Sequence, residues 1–166
     1  AVLARFHSKR IELDATRRFP YETPRMLDTL VCDIPRLWLE IQRGIADTVQ
    51  ANGVPASIGI DTWGVDFGLI GLDGALASNP VQYRDPRTEG ILEHAFKQIP
   101  KAEIYERTGL QFMRFNSLFQ LLSIVRARPE DPFVGVERLL FIPDLFNYLL
   151  TGVAKAEYTI ASTSQM

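Results

Sequence analysis

The residues of this chain best placed to do chemistry interrupt an apolar run. In GIDTWGVDFGLI, Gly59–Ile70, two short strand-like stretches are broken by Asp61, Trp63, Gly64 and Asp66. Two carboxylates and an indole there admit two readings: a turn with a packed indole, or a strand end that opens into a ligand pocket.

The usual catalytic arrangements are missing. There is no G-x-x-x-x-G-K-[ST] loop, and Gly59, Gly64, Gly68, Gly71 and Gly74 cluster without forming G-x-G-x-x-G, so they read as turn and close-packing glycines. His7 and His94 are the only histidines and Cys32 the only cysteine, which gives no zinc set and no intrachain disulfide. Ser162 and Ser164 have no histidine nearby to act as base, so a serine triad has no support.

The elements that must position these residues are legible in outline. AVLARFHS and RIELDATRRF read as a hairpin joined at Ser8 and Lys9. Residues 20–32, with Pro20 and Pro24, read as loop. Asp33 caps a helix with Pro35 in its first turn and a face of Ile34, Leu37, Trp38, Ile41, Ile45 and Val49; Gly53 closes it as a left-handed residue. SIGID is the next expected strand, VDFGLIG follows, and Leu72–Gly74 is a turn. Asp85 and Pro86 open a helix striped with Ile91, Leu92, Ala95 and Phe96, which Pro100 stops. A short helix with Ile104 and Tyr105 ends at Gly109. Asn116 caps one carrying Leu118, Leu121, Leu122 and Val125. ERLLFIP reads as a short buried strand, and DLFNYLL as a helix closed by Gly152. Strands interleaved with helices predict an α/β domain spanning residues 1–166.

Composition narrows the class further. The chain has 166 residues, is 46% hydrophobic and carries a formal net charge of −2. That suffices for a core and, with no basic block, speaks against nucleic acid as a partner. No run approaches the roughly 18 apolar residues of a membrane span. A lone cysteine fits a reducing cytoplasm. The chain begins at Ala1 inside an apparent strand and stops at Met166 without a capped terminus, as a piece of a longer polypeptide would.

In linear order, SIGIDTWGVDFGLI, PVQYRDPRT, IYERTGLQFMRFNSLFQLL, LLFIPDLFNYLLTG and EYTIASTSQM resemble the amino-terminal domain of the FGGY family of carbohydrate kinases. The resemblance runs from Ala1 to Met166. IYERTG and YLLTG are general to the family, whereas DTWGVDF with RDPRT matches its L-rhamnulose-phosphorylating branch.

The resemblance implies a ribonuclease H-like, actin-type ATPase domain with a mixed β-sheet flanked by helices. It also implies transfer of the γ-phosphoryl of MgATP to a sugar, here L-rhamnulose, giving its 1-phosphate. ATP and Mg2+ are thus the implied cofactors, with ATP held by a second domain. The phosphate-binding turn is expected before Ala1 and the general-base aspartate beyond Met166, so residues 1–166 alone are expected to give no turnover.

The matched positions then acquire expected roles. Gly64 is the substrate-contacting position, where the lack of a Cβ lets a sugar approach the backbone. Trp63 can cover a patch of sugar C–H groups, and Asp66 can accept from hydroxyls; a core indole and a loop hydrogen bond are the alternatives. Asp61 reads as a structural carboxylate. Arg84 and Arg87 are expected near the anionic transfer site, with Asp85 as a cap. Phe112, Phe115 and Asn116 align with a loop that closes one side of the pocket. Two other readings stay open: a kinase of another ketose or deoxy sugar, and a non-catalytic actin-like module that binds a sugar or a partner. Oligomeric state is not legible.

Overall fold

The computed structural model describes residues 1–166 and resolves them into two compact units. One comprises Ala1–Glu22 and Asp33–Gly59. The other comprises Thr23–Cys32 and Ile60–Met166.

In the first unit, β1 (Val2–His7) and β2 (Arg10–Ala15) form the expected antiparallel hairpin, in register from Val2 opposite Ala15 to His7 opposite Arg10. Ser8 and Lys9 make the turn at φ 48° and 65°. Two successive positive φ values match the twist of the strands they join. Helix α1 (Ile34–Asn52) starts as its sequence predicts: the Asp33 carboxylate accepts the Arg36 N–H at 3.0 Å, and Pro35 occupies the first turn. Its most deeply buried side takes only Ile34 from the apolar stripe and is otherwise polar or small. Glu40 and Thr48 lie there, and Glu40 is held by Arg17 at 2.8 Å, Arg43 at 2.9 Å and Arg36 at 3.4 Å. Gly53 ends the helix at φ 81° and ψ 179°, a positive φ without the left-handed helical geometry expected of it.

The expected strand at Ser57–Asp61 does not form. The segment pairs with no other strand and leaves Ile58 54% exposed. Alternation supplies a strand's two faces but not its hydrogen-bonding partner.

In the second unit, residues expected as loop contain a tight hairpin: β3 (Arg25–Met26) and β4 (Thr29–Leu30), turning at Leu27 with φ 54°. The chain then runs beside Pro80–Gln82, with Cys32 N–H donating to Pro80 at 2.8 Å and Gln82 N–H to Leu30 at 2.9 Å. Strand β5 (Phe67–Gly71) begins two residues later than VDFGLIG suggested. It pairs antiparallel with β6 (Val136–Phe141), Phe67 facing Phe141. Gly68 serves close packing: a Cβ there would lie 2.9 Å from Leu76 and 3.0 Å from Leu145.

Four further helices and a short final one complete the α/β pattern: α2 (Ile91–Gln98), α3 (Lys101–Thr108), α4 (Ser117–Ala127), α5 (Ile142–Thr151) and α6 (Tyr158–Ala161). Gly109 and Gly152 close α3 and α5 as expected. Asp85 caps a separate 3-10 turn, Pro86–Thr88, rather than α2 itself, because Gly90 breaks the path between them. Phe67, Ile70, Leu140, Phe141, Ile142, Leu145 and Phe146, none more than 5% exposed, form the core around β5 and β6. A second cluster gathers Ile91, Ala95 and Phe119 with Leu92, Phe96, Phe112, Leu118 and Leu122. On α4 the most buried residues include polar Ser117, Gln120 and Ser123, while Val125 of the expected stripe is 38% exposed.

Candidate functional site

Asp66 lies at the mouth of β5, fixed on one side by Ile142 N–H donating to its carbonyl at 3.3 Å. Its carboxylate has no exposed surface. Oδ2 accepts from Trp63 Nε1 at 2.8 Å, from Tyr83 N–H at 3.2 Å and from the Cys32 thiol at 3.8 Å; Oδ1 accepts from Gln120 Nε2 at 3.0 Å. Burial pushes this carboxyl above its usual range, while the Trp63, Gln120 and Tyr83 donors and the Arg87 charge act in the opposite direction. The structure thus turns Asp66 inward, where it organises neighbours rather than facing solvent. The same burial, with Asp66 beside it, pushes the Cys32 thiol up to about 12.

Trp63 is half-buried, held through its N–H to Asp66. Between them the backbone folds into a γ-turn, with Asp66 N–H donating to Gly64 C=O at 2.9 Å and Val65 at φ 69°. A left-handed β-branched residue is a true outlier, costing about 1–2 kcal/mol. Such strain persists only where the surroundings enforce it, which is a feature of binding and catalytic sites. Gly64 itself is not in the left-handed region, and a Cβ there would meet Thr163 Oγ1 at 3.5 Å and Ile160 at 3.8 Å, ordinary contact distances. Neither conformation nor packing requires glycine at this position.

The RDPRT and FNS segments converge on the same place. The Asp85 carboxylate accepts from Leu30 N–H at 2.7 Å and Arg87 N–H at 2.9 Å. The Arg87 guanidinium donates to Gln120 Oε1 at 2.5 Å, and burial lowers its pKa against the neighbouring carboxylates of Asp85 and Asp66. Arg84 is exposed and lies over the Tyr83 ring, 5.0 Å from its centroid. Phe115 meets the same ring edge-on at 5.6 Å. Asn116 occupies the cap position of α4, but its side chain turns away, donating to Gln111 C=O at 3.0 Å and Gln165 Oε1 at 2.8 Å. Of the expected residues, Trp63, Gly64, Asp66, Arg87 and Phe115 are linked through this network; the Arg84 side chain lies at its edge, over Tyr83.

Tyr83, Ser117 and Gln120 were not singled out from the sequence, and Cys32 was read there only as a lone cysteine. Gln120 carries the one available signal, a lone amide within the apolar stretch LFQLL.

A hollow of about 260 Å3 lies beside this turn, lined by Ile60, Asp61, Thr62, Asp144, Glu157 and Ile160 among others. Ile160 is one of the two residues a Gly64 Cβ would touch. Its acidic side chains do not make a metal site: no group of three or more His, Cys, Asp or Glu is placed to hold an ion, and Asp144 accepts from the Glu157 backbone N–H at 3.2 Å. A larger hollow, about 790 Å3, is lined by Lys101, Tyr105 and Phe112 but by none of the turn residues.

Comparison with known proteins gives this geometry a lineage. The chain is 41% identical to rhamnulokinase of Bacteroides thetaiotaomicron over 99% of its length and 34% of the relative's. It is 39% identical to that of Oceanobacillus iheyensis, covering 95% of this chain and 33% of the relative. The Klebsiella pneumoniae enzyme is 45% identical, over 81% of this chain and 27% of its own length. The chain therefore spans about a third of the length of these relatives. Among solved structures, a xylulose kinase from Rhodospirillum rubrum superposes with TM-score 0.76 at 17% identity, covering 99% of this chain and 34% of that one. A ligand-bound xylulose kinase from Lactobacillus acidophilus gives 0.73 at 18% identity, with 94% and 31% covered. These two share the actin-like α/β fold expected from the sequence. The model of the FGGY amino-terminal domain matches residues 1–166, and the chain belongs to the FGGY family of carbohydrate kinases.

Proposed function

We propose that this chain supplies the sugar-binding half of an ATP-dependent kinase that converts L-rhamnulose to L-rhamnulose 1-phosphate. The observation that carries this reading is the Gly64 turn. A glycine that the fold does not need stands beside a strained residue and a half-buried indole, next to a polar hollow. Its relatives at 39–45% identity are rhamnulokinases.

Sugar recognition needs an apolar surface for C–H groups and a close backbone for hydroxyls. Trp63 and Phe115 provide the first. Gly64, with no side chain in the way, provides the second. Asn116 and Asp66 act through the elements they anchor, and Arg87, with Arg84 farther out, contributes positive charge toward the transfer site. MgATP, when bound, supplies the phosphoryl group. No helix is long and apolar enough to cross a membrane, and we place the enzyme in the cytoplasm with its ATP.

A coupled ADP-release assay of the full-length protein against L-rhamnulose, L-fuculose, D-xylulose and gluconate tests the reading. The highest kcat/KM is expected for L-rhamnulose. Preference for another sugar replaces the substrate, and no sugar-dependent turnover overturns the function.

A further inference from the structure

The Gly64–Asp66 turn is held in place from outside. The Val65 carbonyl accepts from Ser117 Oγ at 2.8 Å and from Gln120 Nε2 at 3.2 Å. The same amide nitrogen lies 3.0 Å from Asp66 Oδ1 and 2.9 Å from the Phe115 carbonyl. Gln120 is 1% exposed and Ser117 fully buried.

The orientation of the Gln120 amide is fixed by chemistry. A guanidinium only donates, so the atom facing Arg87 Nη2 at 2.5 Å must be Oε1. Nε2 then faces three acceptors with two hydrogens, so one hydrogen is shared. Arg87 thereby aims Gln120, and Gln120 with Ser117 grips the carbonyl of the one strained residue in the turn.

We propose that Gln120 and Ser117 are positioning residues for the sugar: they hold Val65 in its left-handed turn and so present the Gly64 backbone to the substrate without touching it. This rests on the sugar-kinase reading above. Glycine reaches φ 69° without penalty, so a glycine at position 65 needs the grip less.

The test is steady-state kinetics of the full-length protein on its best sugar, with Gln120→Leu, Ser117→Ala and each combined with Val65→Gly. Loss of one hydrogen bond predicts a rise of about fivefold in sugar KM for Ser117→Ala. The rise for Gln120→Leu is about tenfold or more, since several bonds go together. ATP KM is expected to stay within about twofold, and Val65→Gly is expected to recover most of the Ser117→Ala loss. Sugar KM unchanged in both single variants, sugar and ATP KM rising together, or no recovery with Val65→Gly overturns the proposal. Should Gln120→Leu fail to fold, Ser117→Ala decides.

Should the parent protein phosphorylate no sugar, the functional reading fails separately. Trp63 emission in a full-length background with every other tryptophan, Trp38 included, replaced by phenylalanine then decides whether the clamp exists. Greater acrylamide quenching in Ser117→Ala shows a turn released from its clamp, and identical quenching overturns the clamp itself.

Discussion

Trp63 and Asp66 are joined side chain to side chain at 2.8 Å across the left-handed Val65. The indole is therefore both a surface of the turn and a donor to a buried carboxylate. Trp63→Phe keeps the ring and removes the donor. A hydrogen bond to a charged group contributes about 1.5–3 kcal/mol, and that is the expected loss in urea unfolding. Trp63→Ala is expected to cost more than Trp63→Phe, but less than the upper end of about 3–5 kcal/mol found for a fully buried tryptophan, because this indole is only half-buried. Wild-type stability in Trp63→Phe would show that the bond contributes nothing.

Cys32 gives a pH signature of the same buried centre. Its thiol is pushed up to about 12, first by burial and then by the Asp66 carboxylate. An unfolded thiol titrates near 8.5. Between these values the unfolded chain loses a proton that the folded chain keeps, so stability is full below about 8.5 and declines as pH rises toward the folded value. Urea midpoints measured from neutral to alkaline pH are expected to fall more steeply in wild type than in Cys32→Ser. Equal slopes would place the thiol in a more solvated setting.

Glu40 is the opposite case. Arg17 first, with Arg43 and Arg36, holds its carboxyl below the usual range. The unfolded carboxyl titrates near 4.3, so this stabilisation is present above that pH and is lost as pH falls through the depressed value. Arg17→Met is expected to raise the pH of acid unfolding, followed by circular dichroism. An unchanged acid midpoint would mean that Arg43 and Arg36 suffice.

Local chemistry was readable in the sequence, and long-range pairing was not. Asp33 with Pro35 announced the start of α1, Ser8–Lys9 the hairpin turn, and Gly109 and Gly152 the ends of α3 and α5, because each acts on its immediate neighbours. Ser57–Asp61 alternates like a strand but finds no partner, and Arg25–Leu30 pairs despite its loop-like composition. The Trp63–Asp66 stretch stood out in the sequence as a candidate, because two carboxylates and an indole interrupt an apolar run. Its organisation did not: Gln120, 54 residues from Asp66, sits on the polar side of a helix whose apolar positions suggested a different buried face. That inward side is visible only once β5 and α4 are packed together.

Gly68→Ala separates packing glycines from the one at the turn. Its Cβ would press on Leu76 at 2.9 Å and Leu145 at 3.0 Å, inside a core that can yield little. Overpacking is expected to cost about 1–3 kcal/mol, read as a lower thermal midpoint, with sugar KM unchanged. A normal midpoint would mean that the two leucines move aside freely.

Sugar seated against the Gly64 backbone is tested most directly by Gly64→Ala in the full-length protein, with KM for L-rhamnulose, KM for ATP and the thermal midpoint measured together. The new Cβ meets Thr163 and Ile160 at ordinary contact distances, so the fold should accept it and the midpoint should stay near wild type. A substrate lying on that backbone should not accept it. Sugar KM is expected to rise about tenfold or more, with ATP KM unchanged. A wild-type sugar KM in a normally folded Gly64→Ala protein would contradict this placement of the sugar.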